Sequence, residues 1–443
     1  MRRCTAWTLG LALVALGAGV DAARGQGLEP APPPTISRAT FTCPGYSSVG
    51  LEPLSVVKYL ASDALEGRFP GTRGEQCAGD FIAARFAALG LEPAGDDGYY
   101  QSVELASAAH PNAPIGTGRN VLGLLPGADP ELGESVVIMG AHYDHLGHGE
   151  FGSTGEIGQI HNGADDNASG VAAMLEAARL LAAGPRPARS VLFIAFTGEE
   201  LGLIGSSYYA RNPRFPMART LAMVNLDMVG RLGADPLIVY GMGTAPEWKD
   251  IVGDANLAPA IPLAFEQAGY GPSDHTSFYA NDVPVLHLFT NVHGDYHKPS
   301  DDWERIDPAG LDRIAAFTSN MVGVLASRPG RLTLVSGVGE REQRVGGYDA
   351  WLGSVPDFTP VERGVLLAAV TAGSPGETAG LRKGDVLVGL GSRRGKHEIL
   401  DLQGFTDALR AHRPGDDVVL TFVRDGELHS VEARLGDRAD RPE

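Results

Sequence analysis

Short apolar runs that end in charged or hydroxylated residues recur along the first three quarters of the chain. Val191 to Phe196 are consecutive apolar residues, β-branched or aromatic in the main, the pattern of a strand buried on both faces. Asn120–Leu125, Ser135–Gly140, Leu221–Leu226, Leu237–Tyr240 and Val283–Phe289 read as further strands. Stretches with helical spacing lie between them. Gln76–Leu89 puts Ala78, Ile82, Phe86 and Leu89 on one face, and Gly90 stops it. Val171–Ala183 is rich in Ala and Leu, and helices are also expected at 203–211, Pro246–Leu257 and Leu311–Ala326. Strands alternating with helices predict an α/β fold, a mainly parallel sheet flanked by helices.

The texture changes after Arg328-Pro329-Gly330. Residues 329–348 read as a polar, Gly-containing linker, and 349–436 as a small β-rich domain with short strands, turns and one helix, followed by a tail at 437–443. The α/β domain takes 51–328. Before it, Arg2 and Arg3 precede an apolar run from Trp7 to Val20, and Val20-Asp21-Ala22 offers a small-residue cleavage site. Residues 1–22 therefore read as a signal peptide, too short to span a bilayer comfortably. Residues 23–50, with Pro30 and Pro32 to Pro34, read as a flexible leader. The expected product is exported, periplasmic or extracellular, with no integral membrane span. Cleavage would leave Cys43 and Cys77, which an oxidising compartment allows to pair but does not oblige to.

Composition narrows the partners. The chain has 443 residues, 43% hydrophobic and 20% charged, which is ordinary for a globular protein. A formal net charge of −18 disfavours nucleic acid and anionic membrane, both of which reward Lys and Arg. It names no substrate.

The chemistry gathers where buried strands end. His142, Asp165, Glu199, Glu200, Asp227 and His297 follow strands or sit at turns beside them. Imidazoles and carboxylates together suit a borderline divalent cation such as zinc. One cation would use three of these groups. Two cations sharing a carboxylate would use five and leave one Glu free as a base, an inventory suited to amide hydrolysis. Bland readings compete. A Glu-Glu pair alone is most simply a solvated helix start. Asp166 reads as the cap of a helix starting near Asn167. His145, His148 and His161 lie on or near loops and read as surface residues, and Ser273 to Thr276 reads as a cap before a helix.

Residues 51–326 resemble the co-catalytic zinc aminopeptidases of peptidase family M28. The resemblance rests on His142-Tyr143-Asp144-His145, Gly163-Ala164-Asp165-Asp166-Asn167-Ala168-Ser169-Gly170, Gly198-Glu199-Glu200, Asn225-Leu226-Asp227-Met228 and Tyr296-His297 before Pro299. Glu66-Gly67-Arg68 and Gly90-Leu91 add to it. It implies two Zn2+ per chain and peptide substrates that lose their N-terminal residue. Carried across, His142 and Asp227 would hold one ion and Glu200 and His297 the other, with Asp165 bridging. Glu199 would be the general base, Asp144 would orient His142, and His275 would stand near the scissile carbonyl. Carboxypeptidase action, glutaminyl cyclisation or non-catalytic peptide binding remain alternatives on the same scaffold. Residues 349–436 resemble the PDZ domains attached to bacterial proteases, with Trp351-Leu352-Gly353-Ser354 at the carboxylate-binding loop. That implies a peptide or protein C-terminus as partner, although Pro356 removes a backbone donor close to the peptide-binding edge.

Overall fold

The computed structural model describes residues 42–106, 116–153, 157–338, 350–356, 361, 363–400, 404–405, 408–409 and 411–437. The expected signal peptide, most of the leader, the second half of the linker and nearly all of the tail lie outside the described residues.

Nine strands form the large sheet: β1 (Glu92–Pro93), β2 (Tyr100–Leu105), β3 (Gly116–Leu125), β4 (Val136–His142), β5 (Ser190–Phe196), β6 (Thr220–Leu226), β7 (Leu237–Tyr240), β8 (Leu263–Phe265) and β9 (Val285–Phe289). Their order is β1-β3-β5-β4-β6-β9-β7-β8, and β2 pairs with β3. Parallel pairing runs through the centre, β5-β4-β6-β9, and between β7 and β8. β3 is antiparallel to β5, β7 to β9, and both β1 and β2 to β3. The sheet is thus mixed, with a parallel core and antiparallel margins. Every residue of β4, β5 and β6 is buried, which is why these strands read as unbroken apolar runs.

Helices cover both faces: α1 (Pro53–Leu60), α2 (Arg73–Ala88), α3 (Gly170–Ala183), α4 (Ile204–Arg211), α5 (Trp248–Ala255), α6 (His275–Tyr279) and α7 (Pro308–Ser327). Helices α1, α3 and α7 touch one another, α5 packs on α7, and α3 and α7 lie on β4 to β6. On the other face Tyr209 of α4 and Phe278 of α6 pack with Ile138, Ile194, Phe196 and Met223. Because the central strands point one way, their carboxyl ends share one edge. His142 ends β4, Glu199 and Glu200 follow β5 after Gly198, and Asp227 follows β6. Sites of open α/β sheets are built at that edge.

Cys43 and Cys77 form a disulfide, their Cα atoms 5.5 Å apart. It fastens the last leader residues to α2, and Arg85 adds hydrogen bonds to the carbonyls of Tyr46 and Val49. The end of the expected flexible leader is therefore tied down. The start of the linker is docked too. Val335 N–H donates to the Thr244 carbonyl, Gly269 N–H to that of Val338, and the Tyr279 hydroxyl donates to the Val335 carbonyl while accepting from Val338 N–H. No helix among the described residues is long and apolar enough to cross a membrane.

In the C-terminal module, Ser354–Pro356 pairs with Val365–Val370 at the edge of a six-stranded sheet, with a bulge between Val355 and Pro356. An edge strand tolerates proline because its outer N–H has no ladder partner to lose. Gly353 has φ +79°, and a Cβ there would meet the Ser374 Cβ at 2.1 Å, so this turn of the loop requires glycine. Trp351, Leu352 and Gly353 are buried. Leu352, Leu367, Leu387, Leu420 and Phe422 fill a separate core.

Candidate metal centre

Four carboxylates (Asp166, Glu199, Glu200, Asp227) and three imidazoles (His142, His145, His297) meet at the sheet edge. His142 Nε2 lies 3.3 Å from Asp166 Oδ1 and 3.4 Å from Asp227 Oδ1. His297 Nε2 lies 3.2 Å from Asp166 Oδ2 and 3.2 Å from Glu200 Oε2. Two ligand atoms on a tetrahedral zinc ion, each about 2.0–2.1 Å from the metal, stand roughly 3.3–3.4 Å apart. The observed separations match that edge length. Three groups of donor atoms form, His142/Asp166/Asp227, His142/Glu199/Glu200 and His145/Asp166/Glu200, and Asp166 belongs to the first and the third. The donor set therefore fits a pair of divalent cations.

Asp166, not Asp165, has its two oxygens facing His142 and His297, which departs from the expectation for Asp165. Asp165 is wholly buried but turned away. Its Oδ1 accepts from Gly230 N–H at 2.7 Å and from the Ser169 hydroxyl at 3.0 Å, and its Oδ2 faces His293 Nε2 at 3.2 Å. The cause is local backbone shape. Asp166 (φ −103°, ψ 92°) and Asn167 (φ −134°, ψ 41°) are not helical, so α3 begins only at Gly170 and the two neighbouring carboxylates point to different places. Asn167 takes the capping duty expected of Asp166, its Oδ1 accepting from Gly170 N–H at 2.9 Å. Asp301 accepts from both Asp165 and Asp166 N–H at 2.9 and 3.0 Å and so holds this turn.

The remaining residues are oriented from behind. The Asp144 carboxylate accepts from Glu199 N–H and Glu200 N–H, both at 3.2 Å, while its carbonyl lies 3.3 Å from His142 Nδ1. Asp144 thus braces both sides of the cluster. His297 Nδ1 donates to the Gly152 carbonyl at 2.8 Å, which turns Nε2 toward the carboxylates. Ser273 donates to Asp227 Oδ2 at 2.7 Å.

His145 is a second correction: it is fully buried rather than a loop surface residue, with Nδ1 2.7 Å from Glu200 Oε1. His275 is a third. It is fully buried and stacks on His287 with ring centroids 4.6 Å apart, so it packs inside the domain and offers a substrate no surface.

The charges follow the geometry. Burial opposes charge on His142, but Glu199 and Asp227 hold its pKa well above the ordinary value. Burial likewise opposes charge on His297, yet Glu200 and Asp166 lift it to about 11. Burial, with Glu200, Asp227 and Asp274 nearby, pushes Glu199 well up. Glu75 went unnoticed in the sequence because it sits at an ordinary capping position of α2. It is wholly buried, its Oε1 2.5 Å from the Thr197 hydroxyl and 2.8 Å from that of Tyr143, and burial pushes its pKa to about 7. It links α2 to the residues flanking His142 and Glu199.

A mixed sheet with an imidazole–carboxylate cluster at the carboxyl edge of its parallel strands is an arrangement suited to holding divalent cations. The sequence matches the family models of Peptidase family M28 over residues 120–322 and of the PDZ domain over residues 356–435. Leupeptin-inactivating enzyme 1 of Streptomyces exfoliatus is 30% identical over 247 residues, 55% of this chain and 49% of that protein. Aminopeptidase YwaD of Bacillus subtilis is 29% identical over 197 residues, 42% of this chain and 40% of that protein. The chain therefore spans half or less of the length of these curated relatives. Among solved structures, a Zn-dependent exopeptidase from Parabacteroides distasonis has TM-score 0.52 at 20% identity, covering 65% of this chain and 100% of that one. A glutaminyl cyclase from Porphyromonas gingivalis has TM-score 0.50 at 23% identity, covering 61% and 96%. These likenesses establish a common fold, and a fold alone does not select the reaction.

Proposed function

We propose that this protein is an exported di-zinc aminopeptidase that removes N-terminal residues from peptides. The observation that carries this reading is Asp166 set between His142 and His297, its two oxygens facing one imidazole each, with Glu199 and Glu200 grouped with His142. His142 and Asp227 would hold one ion, Glu200 and His297 the other, and Asp166 both. Bound there, the cations would acidify a water molecule and stabilise the oxyanion that forms at the scissile carbonyl. Glu199, whose carboxylate groups with His142 and Glu200, is assigned the role of base rather than ligand. It takes the proton from the attacking water and delivers it to the departing amine. The carboxylate-rich surroundings favour the substrate's α-ammonium, which directs cleavage to the chain terminus. The Cys43–Cys77 disulfide supports an oxidising compartment, periplasmic or extracellular.

Substrate polarity tests the reading. An unblocked aminoacyl amide should be turned over, and its N-acetylated form should not. Efficient cleavage of the blocked substrate would remove the protein from the aminopeptidase class. Elemental analysis of the active protein should return two zinc ions per chain, and one tightly held ion would favour cyclase-type chemistry instead.

The PDZ domain is proposed to capture peptide C-termini at the Trp351-Leu352-Gly353-Ser354 loop, with the bulged edge strand Ser354–Pro356 beside it. All the proposed ligands lie before residue 300. A chain ending at Val338 keeps the docked strap and should turn over a small aminoacyl amide within about twofold of the full chain. Ending at Pro329 instead strips both backbone partners from the Tyr279 hydroxyl. That should cost about 1–3 kcal/mol of stability, seen as a lower Tm. If the Val338 form lost most of its small-amide activity, the C-terminal module would be bracing the site rather than serving longer substrates.

A further inference from the structure

Glu66, Gly67 and Arg68 all adopt left-handed backbone, with φ of 48°, 67° and 49°. Two of the three carry a Cβ, so the conformation is costly and something must hold it. A Cβ on Gly67 would stand 2.5 Å from the carbonyl oxygens of Gly147 and His161, which leaves only glycine there. The segment is stitched to the loop after β4. Gly147 N–H donates to the Gly67 carbonyl at 3.0 Å and His145 N–H to that of Arg68 at 3.2 Å.

This turn delivers the Arg68 side chain into the interior, where it is wholly buried. Among the described residues its guanidinium hydrogen-bonds to carbonyls and to no carboxylate. Nε donates to the Tyr143 carbonyl at 2.8 Å, Nη1 to the carbonyls of Leu60 and Asn162, and Nη2 to the Gly163 carbonyl at 3.0 Å. Tyr143 lies between His142 and Asp144. Asn162 and Gly163 lead into the turn that presents Asp166. One planar fork therefore ties together the two loops that supply the proposed ligands His142 and Asp166. Burial lowers its pKa to about 10 against the pull of Asp144, Asp166, Asp301 and Glu200, so the group stays charged at neutral pH beside the carboxylates it helps to gather.

We propose that Arg68 is the positioning residue of the metal centre, pinning the His142–Asp144 loop to the Asp166 loop so that their donor atoms stand at bonding separations. This rests on the two-cation reading above. Lysine keeps the charge but offers three donors from a single point, and it cannot reproduce four bonds spread across a fork. The full chain, Arg68→Lys and Arg68→Met would be compared by zinc stoichiometry, by competition for zinc with a chromophoric chelator, and by far-UV circular dichroism with thermal unfolding. Both variants should fold and bind zinc about 10–100-fold more weakly, the usual effect of losing an outer support. Arg68→Lys should recover little of the loss. A merely structural arginine would lower Tm and leave zinc affinity unchanged. Folded variants with wild-type affinity, or failure of both to fold, would overturn the proposal. Fewer than two ions in the wild type would defeat the two-cation reading and this proposal with it, whereas two ions with unaltered affinity in folded variants would defeat the role of Arg68 alone.

Discussion

Glu199→Gln is expected to retain both zinc ions and the native unfolding curve while lowering turnover by about 10²–10⁴-fold, the range for losing a positioned general base. The amide keeps the size of the side chain but cannot accept the proton from the attacking water. Glu199 N–H would still donate to Asp144, so the local backbone has no reason to move. Glu200→Gln should behave differently. Its Oε2 faces His297 and its Oε1 faces His145, and the neighbouring imidazoles, against burial and the adjacent Asp166, bring its pKa down to about 2. Losing that charge should weaken zinc binding before it alters chemistry. Zinc content measured beside kcat separates the two residues. Equal metal loss in both variants would mean that Glu199 is a ligand and that the base lies elsewhere.

The second large effect concerns the pair Asp165 and Asp166. Asp166→Asn should release both cations together, because its two oxygens face His142 and His297 separately. Activity should fall to background with the metal. Asp165→Asn should keep two zinc ions and show its loss in stability instead. Its carboxylate accepts from Gly230 N–H and the Ser169 hydroxyl inside the domain, bonds that an amide only partly replaces. A cost of about 1–3 kcal/mol follows from a buried partner left wanting. Titration of each variant with zinc decides the matter. If Asp165→Asn emptied the centre and Asp166→Asn did not, the bridge would be misassigned.

The amino-acid sequence determined the parts that depend on neighbours along the chain. Apolar runs such as 191–196 and 221–226 marked the central strands, because a strand covered on both faces has no polar position to spare. Alternation with helices gave the fold class, and the end of each run marked where His142, Glu199, Glu200 and Asp227 emerge. The antiparallel margins were not legible, since pairing direction is set by partners far away in sequence. Only the tertiary structure chose between Asp165 and Asp166: the choice depends on non-helical backbone at Asp166 and Asn167, held by Asp301 more than 130 residues away. His145, His275, Glu75 and Arg68 show the same limit. Each carries ordinary local signals, and its role comes from what the fold buries it against: Glu200, His287, the Tyr143–Thr197 pair and four backbone carbonyls. A polar side chain in the interior must satisfy its bonding locally, and the partners available there are fixed by packing rather than by sequence spacing.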